Sequence, residues 1–181
     1  PASNTAPTIT SIPNQTINED ASTATLALVV GDAQTPVGSL ILSGTSANPT
    51  LVPSQNIVFG GSGANRTVRV TPAANQFGQT TITVAVEDGD GMTATEDFVL
   101  IVSSVNDTPT VVSPIGSVTV QEDASTTTID LSTVFGDPDI GTSGDTLTFS
   151  LANAGNATLV DANVSGNQLT LDYQENRNGS T

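Results

Sequence analysis

The chain has 181 residues, with 18 Asp plus Glu against three basic residues, all Arg, and no Lys, His or Cys, for a formal net charge of −15. That balance excludes nucleic acid as a partner, because phosphate binding needs clustered Lys and Arg, and it disfavours anionic membrane surfaces. It also excludes a Ser-His-Asp triad, a thiolate zinc site, a disulfide, a Schiff base and a P-loop, and leaves oxygen donors suited to hard cations such as Ca²⁺.

The length sets a prior of one or two domains. Charged residues make up 12%, against about 25% in an average globular domain. The apolar residues are mostly β-branched and regularly spaced, which reads as packed β structure rather than an acidic disordered chain. No apolar run approaches the roughly 20 residues of a membrane helix, so no direct membrane insertion is expected. The sequence opens at Pro1 without a signal peptide, which reads as a processed protein or an excerpt of a longer one.

In chain order, strands are expected near 8–18 (broken at Pro13), 23–30, 39–45, 56–59, 65–71, 79–87 and 92–103. The evidence is period-2 alternation, as in Ile82, Val84 and Val86 between Thr81, Thr83 and Ala85. Turn signals separate the strands: Asn48-Pro49, Gly60-Gly61, Thr71-Pro72 and Asp88-Gly89-Asp90-Gly91. Residues 72–78 leave room for one short helical turn. Seven short strands in about 100 residues predict an immunoglobulin-like sandwich.

The chain then repeats itself. Asn4-Thr5-Ala6-Pro7-Thr8 returns as Asn106-Asp107-Thr108-Pro109-Thr110. Glu19-Asp20-Ala21-Ser22-Thr23 returns as Glu122-Asp123-Ala124-Ser125-Thr126, and Gly31-Asp32 as Gly136-Asp137. Two domains follow, 1–105 and 106–181. After a strand near 166–173 the second copy has only residues 174–181, where the first carries two long strands. The second sandwich is therefore expected to lack its last two strands, leaving a groove and unpaired edges. Either the protein continues past Thr181, which is the leading reading, or another chain supplies a strand.

The carboxylates gather in loops and at strand ends: Glu19-Asp20, Asp32, Glu87-Asp88-Gly89-Asp90, Asp107, Glu122-Asp123 and Asp137-Pro138-Asp139. Crowded carboxylates repel and raise one another's pKa, and three Arg cannot neutralise them. Calcium, with 6–8 oxygen ligands, turns the repulsion into coordination. That argument favours metal for Asp107, Asp137 and Asp139 together. Taken singly, Asp88, Asp90 and Asp32 suit a plain turn as well as a ligand, because Asp bonds nearby backbone amides.

Asn106-Asp107-Thr108-Pro109 resembles the end of the linker of cadherin-type repeats, and Asp137-Pro138-Asp139 resembles their Asp-x-Asp calcium motif. Val86-Glu87-Asp88-Gly89-Asp90 resembles their strand-end Asp, and Glu19-Asp20 the acid given by the first strand. The whole chain is similar to bacterial cadherin-like and Ig-like tandem repeats of large secreted or surface adhesins. The resemblance implies all-β, tandem antiparallel sandwiches. It also implies a Ca²⁺ site at the interdomain junction from Glu19, Asp20, Asn106, Asp107, Asp137 and Asp139. A second site at the first domain's N-terminal pole would use Asn4, Asp32, Asp88 and Asp90. There Gly31-Asp32-Ala33-Gln34 departs from the motif, with one acid where two are expected.

The expected function is a calcium-stiffened structural or adhesive repeat of an extracellular bacterial surface protein, not an enzyme. Its partners would be neighbouring repeats. The alternative is a filament subunit whose second sandwich accepts a neighbouring subunit's strand, with Pro1–Asn18 as the natural donor. Three weaker signals read as local features. Gly60-Gly61-Ser62-Gly63-Ala64-Asn65 suits a hairpin loop, Asp88-Gly89-Asp90-Gly91 lacks the downstream Glu of an EF-hand, and six Asn-x-Ser/Thr sequons arise in a Thr/Ser-rich chain.

Overall fold

The computed structural model describes residues 3–141 and 144–181. The chain divides into two compact units, Pro1–Val105 and Asn106–Thr181.

The first unit is a two-sheet sandwich. One sheet has the order β1-β3-β6-β5, from β1 (Thr8–Ile9), β3 (Leu26–Gly31), β6 (Asn65–Val70) and β5 (Ile57–Ser62). The other has the order β2-β8-β7-β4, from β2 (Gln15–Asn18), β8 (Thr93–Ser103), β7 (Gly78–Glu87) and β4 (Ile41–Ser46). The alternation read from the sequence is the burial pattern of the strands. Thr80, Ile82, Val84 and Val86 of β7 and Phe98, Leu100 and Val102 of β8 point inward, against Leu26, Leu28, Val30, Val68 and Val70 of the facing sheet. The sheets approach closely where β4 carries Gly44: a Cβ there would stand 2.7 Å from Cγ2 of Ile57.

The first expected strand is two strands in two different sheets. Thr8–Ile9 pairs antiparallel with β3, whereas Gln15–Asn18 pairs parallel with β8. The break falls at Pro13, which has no N–H to give to a ladder, while Ile12 turns into the core. The parallel pairing departs from the all-antiparallel expectation. Residues 72–78 hold no helical turn: Ala74 and Asn75 (φ 54°) form a turn, and Gly78 already begins β7.

In the second unit β9 (Thr110–Val111) pairs with β11 (Phe135–Gly136). A three-stranded sheet has the order β10-β13-β12, from β10 (Thr127–Asp130), β13 (Gln168–Tyr173) and β12 (Val160–Ser165). The repeat extends to register: Thr110 faces Gly136 as Thr8 faces Gly31, and each Thr gives its Oγ1 hydrogen to that glycine's carbonyl. The strand equivalent to β3 is interrupted by a 3-10 turn at Leu131–Thr133, held where Asp130 accepts from the backbone and hydroxyl of Ser132. Those bonds hold the Asp130 carboxyl below its ordinary pKa. Among the described residues no strands correspond to β2, β4, β7 or β8.

Candidate metal centre

In the first unit, hydrogen bonds tie three loops together at the end of the sandwich where β1 begins and β7 ends. Asn4 donates from Nδ2 to Oδ2 of Asp88 at 2.8 Å. Asp88 is only 3% exposed, and its Oδ1 accepts the backbone amides of Asp90 and Met92 at 2.9 Å each. Burial by itself would raise the Asp88 carboxyl, but these bonds, Asn4's first, outweigh it and hold the group below its ordinary pKa. Asp32 accepts the amides of Gln34 and Thr35 on Oδ1, and Thr35 in turn takes the Gly89 amide on its hydroxyl. Gln34 Oε1 accepts both the amide and the hydroxyl of Thr5.

Two oxygens in these loops are buried without a hydrogen-bond partner, Oδ1 of Asn4 and Oδ2 of Asp32. Buried oxygens are rarely left so, because an unmet acceptor costs about 1–3 kcal/mol. Asp90, expected in this group, is exposed and takes part through its backbone amide.

The second unit builds the same device from more acidic parts. Asp139 donates its amide to Oδ1 of Asp137 at 2.9 Å, as Gln34 does to Asp32. Asp139 Oδ2 accepts the Asp107 amide at 2.6 Å, as Gln34 Oε1 accepts that of Thr5. Gln34 and Thr5 thus stand where Asp139 and Asp107 stand, which explains the single acid at Asp32: the amide oxygen does the backbone-bonding work of the second carboxylate without its charge. Asp139 is 2% exposed, and Oδ2 of Asp137 is buried without a hydrogen-bond partner. Asn106 is exposed and donates to the Asp107 carbonyl, whereas its counterpart Asn4 reaches Asp88.

Glu19 and Asp20 lie at the other end of the first unit, past the end of β2 and roughly 30 Å along β8 from the Asp88 loop at about 3.3 Å per residue. Glu19 is buried and accepts the Val105 amide on Oε1 at 2.7 Å. Asp20 is exposed, has φ 58°, and accepts the Asn75 amide at 3.0 Å. Asp123 repeats this at φ 56°, accepting the Asn176 amide at 2.8 Å. Sequence reasoning passed over Asn75, Asn176, Thr5 and Gln34. The recurrence of Asn75 as Asn176 beyond the repeat's more obvious words was the available signal for the first two. Among the described residues no three His, Cys, Asp or Glu side chains stand grouped as a metal site; the oxygens gathered are carboxylate, amide and hydroxyl together.

A two-layered sandwich of eight strands, followed by a second unit that repeats the pairing of one of its sheets, defines tandem immunoglobulin-like repeats. The family profile described as bacterial Ig domain matches residues 4–100, and the chain belongs to that family. A search of curated proteins returns no match. Among solved structures, the tandem titin Ig domains A164-A165 are 15% identical, covering 97% of this chain and 85% of theirs with a TM-score of 0.41. The tandem Ig repeats of Dlar are 12% identical, covering 93% and 83% with a TM-score of 0.41. The titin M3 domain is 15% identical, covering 53% and 95% with a TM-score of 0.39. No helix among the described residues is long and apolar enough to cross a membrane.

Proposed function

We propose that the chain is a structural spacer or adhesive repeat region of an extracellular bacterial surface protein, and that Ca²⁺ stiffens it. The observation that carries this reading is the loop cluster built twice, with buried oxygens of Asn4, Asp32 and Asp137 lacking a hydrogen-bond partner. A hard cation satisfies such oxygens and offsets crowded carboxylates. In the first unit Asn4, Asp32 and Asp88 would hold the ion, joined by Asp90 through its loop. In the second unit the holders would be Asn106, Asp107, Asp137 and Asp139. Glu19 and Asp20 stay in the proposed ligand set on the sequence resemblance alone. The role is non-catalytic: coordination adds stability by mass action, because the ion binds the folded loops and not the unfolded chain.

The test is a thermal melt of the chain in CaCl₂ against EGTA, with elemental analysis of bound metal. Calcium at 100 times its Kd would stabilise by about 2.7 kcal/mol and raise the melting temperature. An unmoved transition with no bound calcium would end the metal reading. The unpaired segments of the second unit favour a second reading, a filament subunit that takes a strand from a neighbour. The proposed donor is already engaged: Thr8–Ile9 pairs with β3 and Gln15–Asn18 with β8. Strand exchange would therefore have to take them out of the first unit.

A further inference from the structure

Among the described residues β12 is an edge strand of the second unit, as β5 is of the first. The two strands correspond position by position. Each leads through a two-residue turn into its neighbour, with Ser62 facing Asn65 in one unit and Ser165 facing Gln168 in the other. In β12 Val160 is buried and Ala162 and Val164 are half-buried, whereas Asp161, Asn163 and Ser165 are exposed. Side chains alternate across a strand, so these three stand in a row on one face, about 6.6 Å from one to the next.

The acid in that row is unfavourable to the sheet. Asp161 lies opposite Asp172 of β13, which is also exposed, and like charges directly opposite each other are destabilising. The first unit has Val58 in the place of Asp161, opposite Arg69, a pair without that repulsion. Strand pairing therefore does not account for Asp161. The same stretch, Asp161-Ala162-Asn163-Val164-Ser165, holds one of the six Asn-x-Ser/Thr sequons, and of these only Asn163 has an acid two residues before it. Three of the other asparagines have their side chains committed. Asn14 Oδ1 accepts the Val99 amide, Asn156 Oδ1 accepts the amide and hydroxyl of Thr158, and Asn106 Nδ2 donates to the Asp107 carbonyl.

We propose that Asn163 is the acceptor of an N-linked oligosaccharide, carried by a polyprenyl diphosphate and transferred outside the cytoplasm, with Ser165 and Asp161 as the residues the transferase reads. The inference rests on the extracellular reading above. In the step, Nδ2 of Asn163 attacks the anomeric carbon of the donor sugar. The new C–N bond forms as the bond from that carbon to the diphosphate oxygen breaks. The polyprenyl diphosphate leaves with the electron pair, and Nδ2 loses one proton to a base of the transferase, so no oxidant or reductant is involved. The Ser165 hydroxyl and the Asp161 carboxylate flank the amide along one face. An enzyme gripping that face meets hydroxyl, acceptor and anionic handle in a single row, and a basic group on it pairs with Asp161 by a charge-assisted hydrogen bond. The attached sugar extends from the exposed face, opposite the side on which Val160 is buried, and so leaves the packing of the strand unchanged.

The test exports the full chain to the periplasm of a bacterium supplied with an N-oligosaccharyltransferase and its lipid-linked oligosaccharide, beside a control acceptor protein, and reads intact mass and peptide maps. A glycan is expected on Asn163, absent in Asn163→Gln and Ser165→Ala and kept in Ser165→Thr. Asp161→Asn should lower occupancy by about tenfold or more, the weight of one hydrogen bond to a charged group, and Asp161→Glu should restore it. A purely structural role predicts the reverse for Asp161→Asn: relief of the repulsion from Asp172, read as an unchanged or higher melting temperature, with occupancy unaltered. No glycan on the chain while the control is modified overturns the proposal. So does a glycan on another sequon with Asn163 bare, and so does unaltered occupancy in Asp161→Asn. The melt in CaCl₂ against EGTA is run on the same exported chain, so failure of the glycan site is told apart from failure of the calcium reading.

Discussion

In the first unit sixteen apolar side chains are buried in one core; in the second, among the described residues, only Leu131, Val134 and Val160 are. Yet the second unit pairs the strands equivalent to β1, β3, β6 and β5 in the order of that sheet, and both units lock the same turns with the same Asp and Asn positions. Local pairing and turn chemistry are thus separable from core formation. A hairpin such as β12–β13 needs only its own two strands and the Gly166 turn (φ 57°). A segment such as 118–121, whose counterpart β2 pairs with the sequence-distant β8, has no such partner strand among the described residues. Its alternating valines then stay at the surface, whatever their β-propensity.

The comparison can be broken most severely in the first core. Phe98→Ala removes a side chain 1% exposed and should cost about 3–5 kcal/mol, read as a fall in the urea midpoint of the first unit. Leu151→Ala, at a groove position that is 39% exposed, should cost well under 1 kcal/mol by the usual behaviour of surface changes. Equal costs would show that the second unit has a core like the first.

Removing a buried acceptor comes next. Glu19→Ala leaves the Val105 amide without its 2.7 Å partner and should cost about 1–3 kcal/mol; Glu19→Gln, which keeps an acceptor oxygen, should restore most of it. Recovery absent in the Gln variant would show that charge, not the hydrogen bond, is what matters there.

Acid sharpens the contrast further. Asp88 titrates lower in the folded unit than its ordinary 3.8, so its contribution is present above about that pH and is lost as pH falls through the lower folded value. The first unit should therefore lose stability on acidification in that window, and Asp88→Asn should flatten that part of the curve. A curve identical in the variant would remove Asp88 from the account.

The smallest expected effects are at the paired left-handed turns. Asp20→Ala and Asp123→Ala each remove one bond to a backbone amide, from Asn75 and Asn176 respectively, and each should cost about 1 kcal/mol. Similar losses from each unit, measured by local hydrogen exchange at Asn75 and Asn176, would support the equivalence of the two turns; a loss in only one would break it.

The strands of the first unit were legible because each inward residue sits two positions from the next, and because one face of every strand meets a core. The split of the first strand between two sheets, and its parallel partner, were not legible, since Pro13 marks a break without saying where the chain goes next. The candidate loops were legible in part. Repetition picked out Asp32, Asp137 and Asn4. It did not reveal that Gln34 replaces Asp139 as the acceptor for a backbone amide, because an amide oxygen and a carboxylate oxygen make that bond alike while only one of them counts as an acid.

By itself, then, the sequence determined the β class, the repeat, its boundary near Val105, and the concentration of acids in turns, all properties of local pattern. Which of those acids are buried, which bond to backbone and which oxygens remain unmet was decided only by tertiary structure. Those outcomes depend on loops distant in sequence, such as 4–5, 32–35 and 88–92, being brought within hydrogen-bond reach by the sheets that carry them.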